Sequence, residues 1–417
     1  MNTYLAVILF ILIGEYFFNL IVELLNIKNL KTTLPNEFTD LYDSGKYEES
    51  QKYLKETTWF ELFTGTLMTF LTILFILTGG FNIIDNFCRN LGFGEIVTGL
   101  IFVATIMLIM QIINIPLSAY STFHIEEKYG FNKTTIKTFI LDILKSWLLT
   151  IILGGIIFSV ILWFFGKTGE FAWLYCWTAV TVFQIFIMFL APVIIMPLFN
   201  KFTPIKDCEL KTTLEDYAKK ENFKLKGIFT MDGSKRSTKS NAFFTGFGKF
   251  RRIILFDTLI EKHSIDELVS ILAHEIGHYK KKHILVHLLI SIITSGIMFF
   301  ILSFFLNNPG LFAAFKMEHT SIYASLLFFG FLYAPIEMIT SIFSNILSRK
   351  NEYQADEYSI KTYQKPDAMI LALKKLSVDN LSNLTPHPFK VFLSYSHPPV
   401  LERIRSIRKL ASQGNSL

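Results

Sequence analysis

Seven stretches of this 417-residue chain are apolar over the ~20 residues that a helix needs to cross a ~30 Å hydrocarbon core. They run Tyr4–Leu25, Trp59–Leu77, Ile96–Leu117, Leu148–Phe165, Phe171–Phe199, Ile284–Leu306 and Ser321–Leu347, and none contains a lysine or an arginine. A segment in lipid must satisfy its backbone hydrogen bonds internally, so each stretch is expected to be a helix. Composition agrees: 51% of residues are hydrophobic and 18% charged, where soluble domains carry about a quarter charged residues. A soluble chain with this apolar excess would have to hide it in a core larger than single domains usually build.

The basic residues set an orientation. Of 40 lysines and arginines, 37 fall in residues 26–58, 118–147, 200–283 and 348–417. Only Arg89, Lys167 and Lys316 lie in the alternate connections. Cytoplasmic loops are the lysine- and arginine-rich ones. The expected topology therefore has the N-terminus outside (lumenal) and the C-terminus cytosolic, with residues 1–199 holding spans one to five and 284–347 holding spans six and seven. Residues 200–283 and 348–417 are left as the two cytosolic segments able to hold soluble chemistry. The net charge of +6 is accounted for by this topology, and no nucleic-acid partner is expected. Cys88, Cys176 and Cys208 are far apart, which predicts neither a disulfide framework nor a cysteine metal site. The first apolar stretch lacks a basic leader and a small-residue cleavage site, so it reads as a retained span.

Chemistry concentrates in the segment Ser264-Ile-Asp-Glu-Leu-Val-Ser-Ile-Leu-Ala-His274-Glu275-Ile-Gly-His278. Ser264 followed by Glu267 has the spacing of a capping box. Leu268, Ile271 and Leu272 then recur at helical spacing. His274 and His278 stand one turn apart on one face, where both imidazoles can bind one zinc ion, and Glu275 is placed as general base for a water. Gly277 inside this helix costs about 1 kcal/mol relative to alanine, which points to a close backbone approach. Only Tyr279 to His283 separate this helix from the sixth span. If the helix continues, the metal lies about 9 Å of axial rise from the membrane segment, and Lys280-Lys281-Lys282 marks the boundary.

A catalytic zinc needs a third protein ligand and one open position. After the seventh span, Asn351-Glu352-Tyr-Gln-Ala-Asp356 offers two carboxylates at i and i+4. One can bind metal while the other accepts from a ligand imidazole. Asp232 and Asp257 are weaker competitors. Upstream, Asn241-Ala-Phe-Phe precedes the β-rich run Ile253-Ile-Leu-Phe, where an edge strand can pair with an extended peptide. His397 precedes Pro398-Pro399 in a stiff extended segment. A cationic imidazole or guanidinium near the metal can stabilise an oxyanion.

His-Glu-Ile-Gly-His and Asn-Glu-Tyr-Gln-Ala-Asp among seven spans resemble the type I CAAX prenyl protease family, integral-membrane zinc endopeptidases. Further motifs carry the same resemblance: Ile125-Glu-Glu-Lys-Tyr-Gly-Phe-Asn-Lys133, Ser240-Asn-Ala-Phe-Phe-Thr-Gly-Phe247, Arg252-Ile-Ile-Leu-Phe-Asp-Thr-Leu259, and Tyr395-Ser-His-Pro-Pro399 through Arg403. It implies one Zn²⁺ per chain held by His274, His278 and Glu352, with Glu275 as catalytic base and Asp356 as the carboxylate behind the ligands. It also implies that Asn241, His397 and Arg403 hold the substrate backbone or the reaction oxyanion. The implied fold is seven transmembrane helices around a water-filled chamber, with a mainly helical, gluzincin-like metallopeptidase domain and a small β element at the cytosolic end. A chamber would accommodate Glu15, Glu23, His287 and Glu337, four ionisable groups inside spans.

The expected activity is removal of the C-terminal tripeptide from a prenylated C-a-a-X protein, so the expected partners are a prenylated or membrane-associated peptide and the bilayer. Two rival readings stand beside it: a quality-control protease acting on unprenylated membrane proteins, and a transporter or receptor with a structural zinc. The Ile, Lys, Asn and Phe bias favours a bacterial cytoplasmic membrane, with the endoplasmic reticulum as the alternative. The sequence sets no oligomeric state.

Overall fold

The computed structural model describes residues 2–245 and 251–414. Seven helices are long and apolar enough to cross a membrane: Thr3–Lys28, Ser44–Thr78, Glu95–Glu126, Ile136–Lys167, Gly169–Phe199, His283–Ser303 and Ile322–Tyr363. Each overlaps one expected span, and several run well past it. Apolarity detects only the part of a helix that would lie in lipid, whereas the true ends are set by caps. Asp43 caps span two by accepting from the Lys46 N–H at 2.7 Å, and Thr135 caps span four by accepting from Thr138. Span seven does not stop at the expected membrane edge. It continues as one helix through Glu352 and Asp356 to Tyr363, so the third candidate ligand stands on an extension of a membrane helix and not on a separate tail.

The largest apolar cluster of the spans lies at one end. Ile8, Phe102, Leu162, Cys176, Phe299, Leu302, Tyr323 and Phe328 belong to one core with Phe81 and Phe315. Phe315 and Phe328 stack with centroids 3.7 Å apart, and Phe81 meets both edge-on. Asp85 closes this end, accepting from the Tyr323 hydroxyl at 2.5 Å and pairing with Arg89 at 2.7 Å.

Beyond that plug the helices bury little. Among the described residues, span three has none buried between Phe102 and Ile125, span four none before Leu162, span five none after Cys176, and span seven none between Phe329 and Asn351. A solid bundle would bury one stripe along the length of every helix. These helices instead form a ring that is sealed at one end and hollow along its middle. Two of the four ionisable groups inside spans have partners there: Glu23 pairs with Lys390, and His287 meets Asn351 at 3.1 Å. Glu15 borders a cavity of about 250 Å³ with Phe18 and Pro335, and Glu337 is exposed.

At the open end sits a four-stranded sheet of β1 (Phe202–Pro204), β2 (Gly227–Met231), β3 (Ala242–Thr245) and β4 (Arg252–Phe256), in the order β1-β2-β4-β3. β2 and β4 are parallel, and β3 is an antiparallel edge strand with Phe243 opposite Ile254. Ile228, Ile253 and Leu255 pack on Leu268, Val269, Leu272 and Ile276 of the His-Glu-x-x-His helix, Ile265–Lys280. The sheet thereby fixes one side of that helix. The other side meets span seven.

Candidate metal centre

The helix Ile265–Lys280 starts as its sequence directs. Ser264 accepts from the Glu267 N–H, while the Ser264 hydroxyl donates to the Glu267 carboxylate at 3.1 Å. Lys375 holds the same carboxylate at 2.8 Å. Its buried face then crosses the extension of span seven with Gly277 at the contact. A Cβ on Gly277 would lie 3.0 Å from the Ala355 Cα and 3.1 Å from the Tyr358 Cβ. The close approach expected from this glycine is therefore real.

That crossing brings three ligand atoms together. His274 Nε2 and His278 Nε2 are 3.1 Å apart. Glu352 Oε2 lies 3.4 Å from the first and its Oε1 3.2 Å from the second. A tetrahedral zinc with bonds of 2.0–2.1 Å spaces its ligand atoms about 3.3 Å apart, so the imidazole pair and each imidazole–carboxylate approach are close to that spacing. The Glu352 Oε2 atom is buried without a well-formed hydrogen bond. Around it, Glu275, Glu352 and Asp356 bring three carboxylates against the single guanidinium of Arg403. Burying that imbalance is costly, and one divalent cation removes it. The residues fit a metal ion by spacing, donor type and charge.

The open alternative between Glu352 and Asp356 resolves by reach. Glu352 faces the Nε2 atoms. Asp356, fully buried, takes the other side of the ring, accepting from His274 Nδ1 at 2.9 Å. Arg403 grips Asp356 with two bonds, of 2.6 and 2.8 Å, and places Nη1 3.2 Å from Glu352. His397 Nε2 is 3.3 Å from the same carboxylate, its ring otherwise exposed to the open space. Glu275 has no hydrogen-bond or ion-pair partner among the described residues, which leaves its carboxylate available. Asn241 is not part of this cluster. It is exposed at the start of the edge strand, with its side-chain oxygen on the Ala242 N–H at 2.8 Å. Gly246 and Phe247 of the same motif lie outside the described residues. Asp232 and Asp257 are used locally, accepting from the Lys201 and Ser234 backbones at 2.7 and 2.9 Å.

The electrostatics favour positive charge at the ligands. Burial opposes protonation of His274, but its bonds to Asp356 and Glu352 outweigh that and lift its pKa to about 9. A bound cation satisfies the same preference. Burial also disfavours the charge on Arg403. Asp356 and Glu352 overcome it, and the guanidinium stays protonated with its pKa above the ordinary value. Burial raises the Glu275 carboxyl above the usual range, and the two imidazoles pull it back only in part.

Three further residues support the site, and nothing in the sequence pattern marked them. Arg349 donates to the carbonyls of Val391 and Tyr395, at 2.9 and 2.5 Å, and so holds the segment that leads to His397. His283 contacts His278 and is held in turn by Gln354. The continuous helix expected through residues 279–283 does not form. Lys282 takes φ +60° and breaks it, and neither glycine nor proline announces the turn.

The chain is similar to known membrane proteases along nearly its whole length. Residues 23–201 match a family model described as CAAX prenyl protease N-terminal, five membrane helices, and residues 204–411 match peptidase family M48. A CAAX prenyl protease 1 homolog of Arabidopsis thaliana is 35% identical over 405 residues, covering 95% of each chain. The CAAX prenyl protease 1 of Saccharomyces cerevisiae is 33% identical, over 90% of this chain and 89% of its own. A Homo sapiens homolog is 31% identical, over 91% and 89%. The crystal structure of S. mikatae Ste24p superposes with a TM-score of 0.93 at 32% identity, covering 98% of this chain and 99% of that one.

Gly277→Ala tests the crossing. In an open helix the change would stabilise by about 1 kcal/mol. Here the new methyl meets backbone, and overpacking of this kind costs about 1–3 kcal/mol. The expected outcome is a lower melting temperature for the detergent-solubilised protein and lower metal occupancy, read by unfolding scans and elemental analysis.

Proposed function

We propose, starting from the fact that this chain belongs to the CAAX prenyl protease family of M48 metallopeptidases, that it binds one Zn²⁺ and removes the C-terminal tripeptide of prenylated C-a-a-X proteins at the cytosolic membrane face. The observation that carries this reading is the triangle of His274, His278 and Glu352 at tetrahedral-edge spacing, opening toward a hollow membrane domain. The relatives named for C-a-a-X processing, at 31–35% identity over nine-tenths or more of this chain, supply the substrate class.

His274, His278 and Glu352 would hold the zinc, which supplies Lewis acidity: it acidifies a water and polarises the scissile carbonyl. The remaining work belongs to the protein. The Glu275 carboxylate takes the proton of the attacking water and passes it to the leaving amine. Its raised pKa makes it a stronger base for the first transfer than an ordinary carboxylate. Arg403, and His397 as a hydrogen-bond donor, face the negative charge that develops on the carbonyl oxygen. Asp356 accepts from His274 Nδ1 and so keeps the lone pair of Nε2 toward the metal. The free edge of β3, with Asn241 at its start, suits an extended peptide added as a fifth strand.

The excess of basic residues beside the catalytic end supports a cytosolic site and an outside N-terminus. The residue bias favours a bacterial cytoplasmic membrane and the eukaryotic relatives the endoplasmic reticulum. In both membranes the catalytic end faces the cytosol.

Purified protein is expected to cleave a farnesylated C-a-a-X peptide and spare its unprenylated twin. Glu275→Gln should lower kcat by about 10²–10⁴-fold without loss of zinc. Equal cleavage of both peptides would keep the catalyst and reject the substrate. Unchanged kcat in Glu275→Gln would reject the base. For orientation, Cys208 is exposed whereas Cys88 and Cys176 are buried. A membrane-impermeant maleimide should label Cys208 only from the cytosolic side of sealed vesicles, and labelling from the opposite side would invert the topology.

A further inference from the structure

The two ligand imidazoles are held from behind in different ways. His274 Nδ1 faces a carboxylate, Asp356, at 2.9 Å. His278 Nδ1 faces a second imidazole, His283 Nδ1, at 3.0 Å. His283 Nε2 in turn lies 2.9 Å from the side-chain oxygen of Gln354. Gln354 stands two residues after Glu352 on the same helix.

With the Gln354 oxygen facing His283, one set of protons satisfies this chain of contacts. The Gln354 oxygen can only accept, so the His283 proton sits on Nε2. His283 Nδ1 is then a lone pair and accepts, so His278 must donate from Nδ1. That leaves His278 Nε2 with its lone pair toward Glu352, 3.2 Å away. Turning the Gln354 amide over would reverse every step. It would put a proton on His278 Nε2 and remove the lone pair that ligation needs.

The contact depends on the broken helix. In a continuous helix residues five apart point about 140° away from each other, and His283 would miss His278. Lys282 in the left-handed region turns the chain, so that span six begins at His283 directly against the metal helix. One turn further on, His287 meets Asn351 at 3.1 Å. Asn351 and Gln354 share a face of span seven and flank Glu352, so span six grips span seven on both sides of a metal ligand.

We propose that His283, backed by Gln354, is a positioning residue for His278: it fixes the ring tautomer that leaves Nε2 free for the metal, and it ties the first turn of span six to the metal centre. The proposal rests on the zinc reading above. Partners that orient metal-binding histidines typically contribute 10–100-fold in metal affinity, and His283 is expected to do so here.

The test is the zinc dissociation constant of the full-length protein in detergent, measured by competition with a fluorescent chelator. His283→Leu should weaken zinc binding about 10–100-fold. His283→Asn keeps an acceptor close to the Nδ1 position and should recover most of that loss. His287→Leu removes the neighbouring contact between the same two spans without touching His278 and should bind zinc as the wild type does. Gln354→Met should shift affinity in the same direction as His283→Leu by a smaller factor, and it carries the test if His283→Leu does not fold. Wild-type affinity in His283→Leu or, where that variant does not fold, in Gln354→Met overturns the proposal. So does an equal loss in His287→Leu, which would reduce the effect to helix packing. Failure of the wild type to bind zinc would instead overturn the metal reading beneath it.

Discussion

Gly277 lies so close to the backbone of Ala355 that a Cβ there would stand 3.0 Å from the Ala355 Cα. At that crossing the His-Glu-x-x-His helix brings two imidazoles, and span seven brings a carboxylate from more than seventy positions away. Nothing local to either helix holds the metal cluster together. The sheet fixes one flank of the first helix, and the Ser359 hydroxyl bonds the Ser270 carbonyl across the crossing at 3.0 Å. The buried group of Asp356, Arg403 and Glu352 then sets the rotation of the two helices. Clusters of buried charge rarely stabilise a fold on balance. This one is retained because each member turns another toward the metal.

The membrane domain follows a different physical rule. Stacked and edge-on phenylalanines, with the Tyr323–Asp85–Arg89 group, seal one end of the ring. Between that seal and the metal the helices touch their neighbours in the ring and leave the middle open. Glu15, Glu23 and His287 sit where a wet interior or a protein partner receives them. The result sets a cleavage site at the mouth of a closed vessel, with span six and span seven reaching from the bilayer directly to the ligands.

Much of this was legible in the chain. Spans without a lysine or arginine, alternating with basic loops, defined the membrane domain. His274, Glu275 and His278 declared a metal helix by spacing alone, and Gly277 declared a close contact by its cost. Spacing alone did not choose between Glu352 and Asp356, because residues at i and i+4 share a face; the motif resemblance implied Glu352, and the crossing of the two helices puts Glu352 toward Nε2. Helix ends were misjudged wherever hydropathy faded before the helix did, as at Ser44 and Tyr363. His283 and Gln354 carried no signal, since their meeting requires a left-handed lysine that no turn motif announces. Asn241 belonged to a recognisable motif, yet its place is on the strand edge and outside the charged cluster.

His274, His278 and Glu352 are expected to hold a single zinc through two imidazoles and one carboxylate, with a coordination position left open. X-ray absorption at the zinc edge of the purified, zinc-loaded protein tests it most directly. The expected shell has two histidine nitrogens and oxygen neighbours, at about 2.0–2.1 Å and without sulfur. A sulfur neighbour near 2.3 Å, a third imidazole in the shell, or a spectrum unchanged by Glu352→Gln would contradict it.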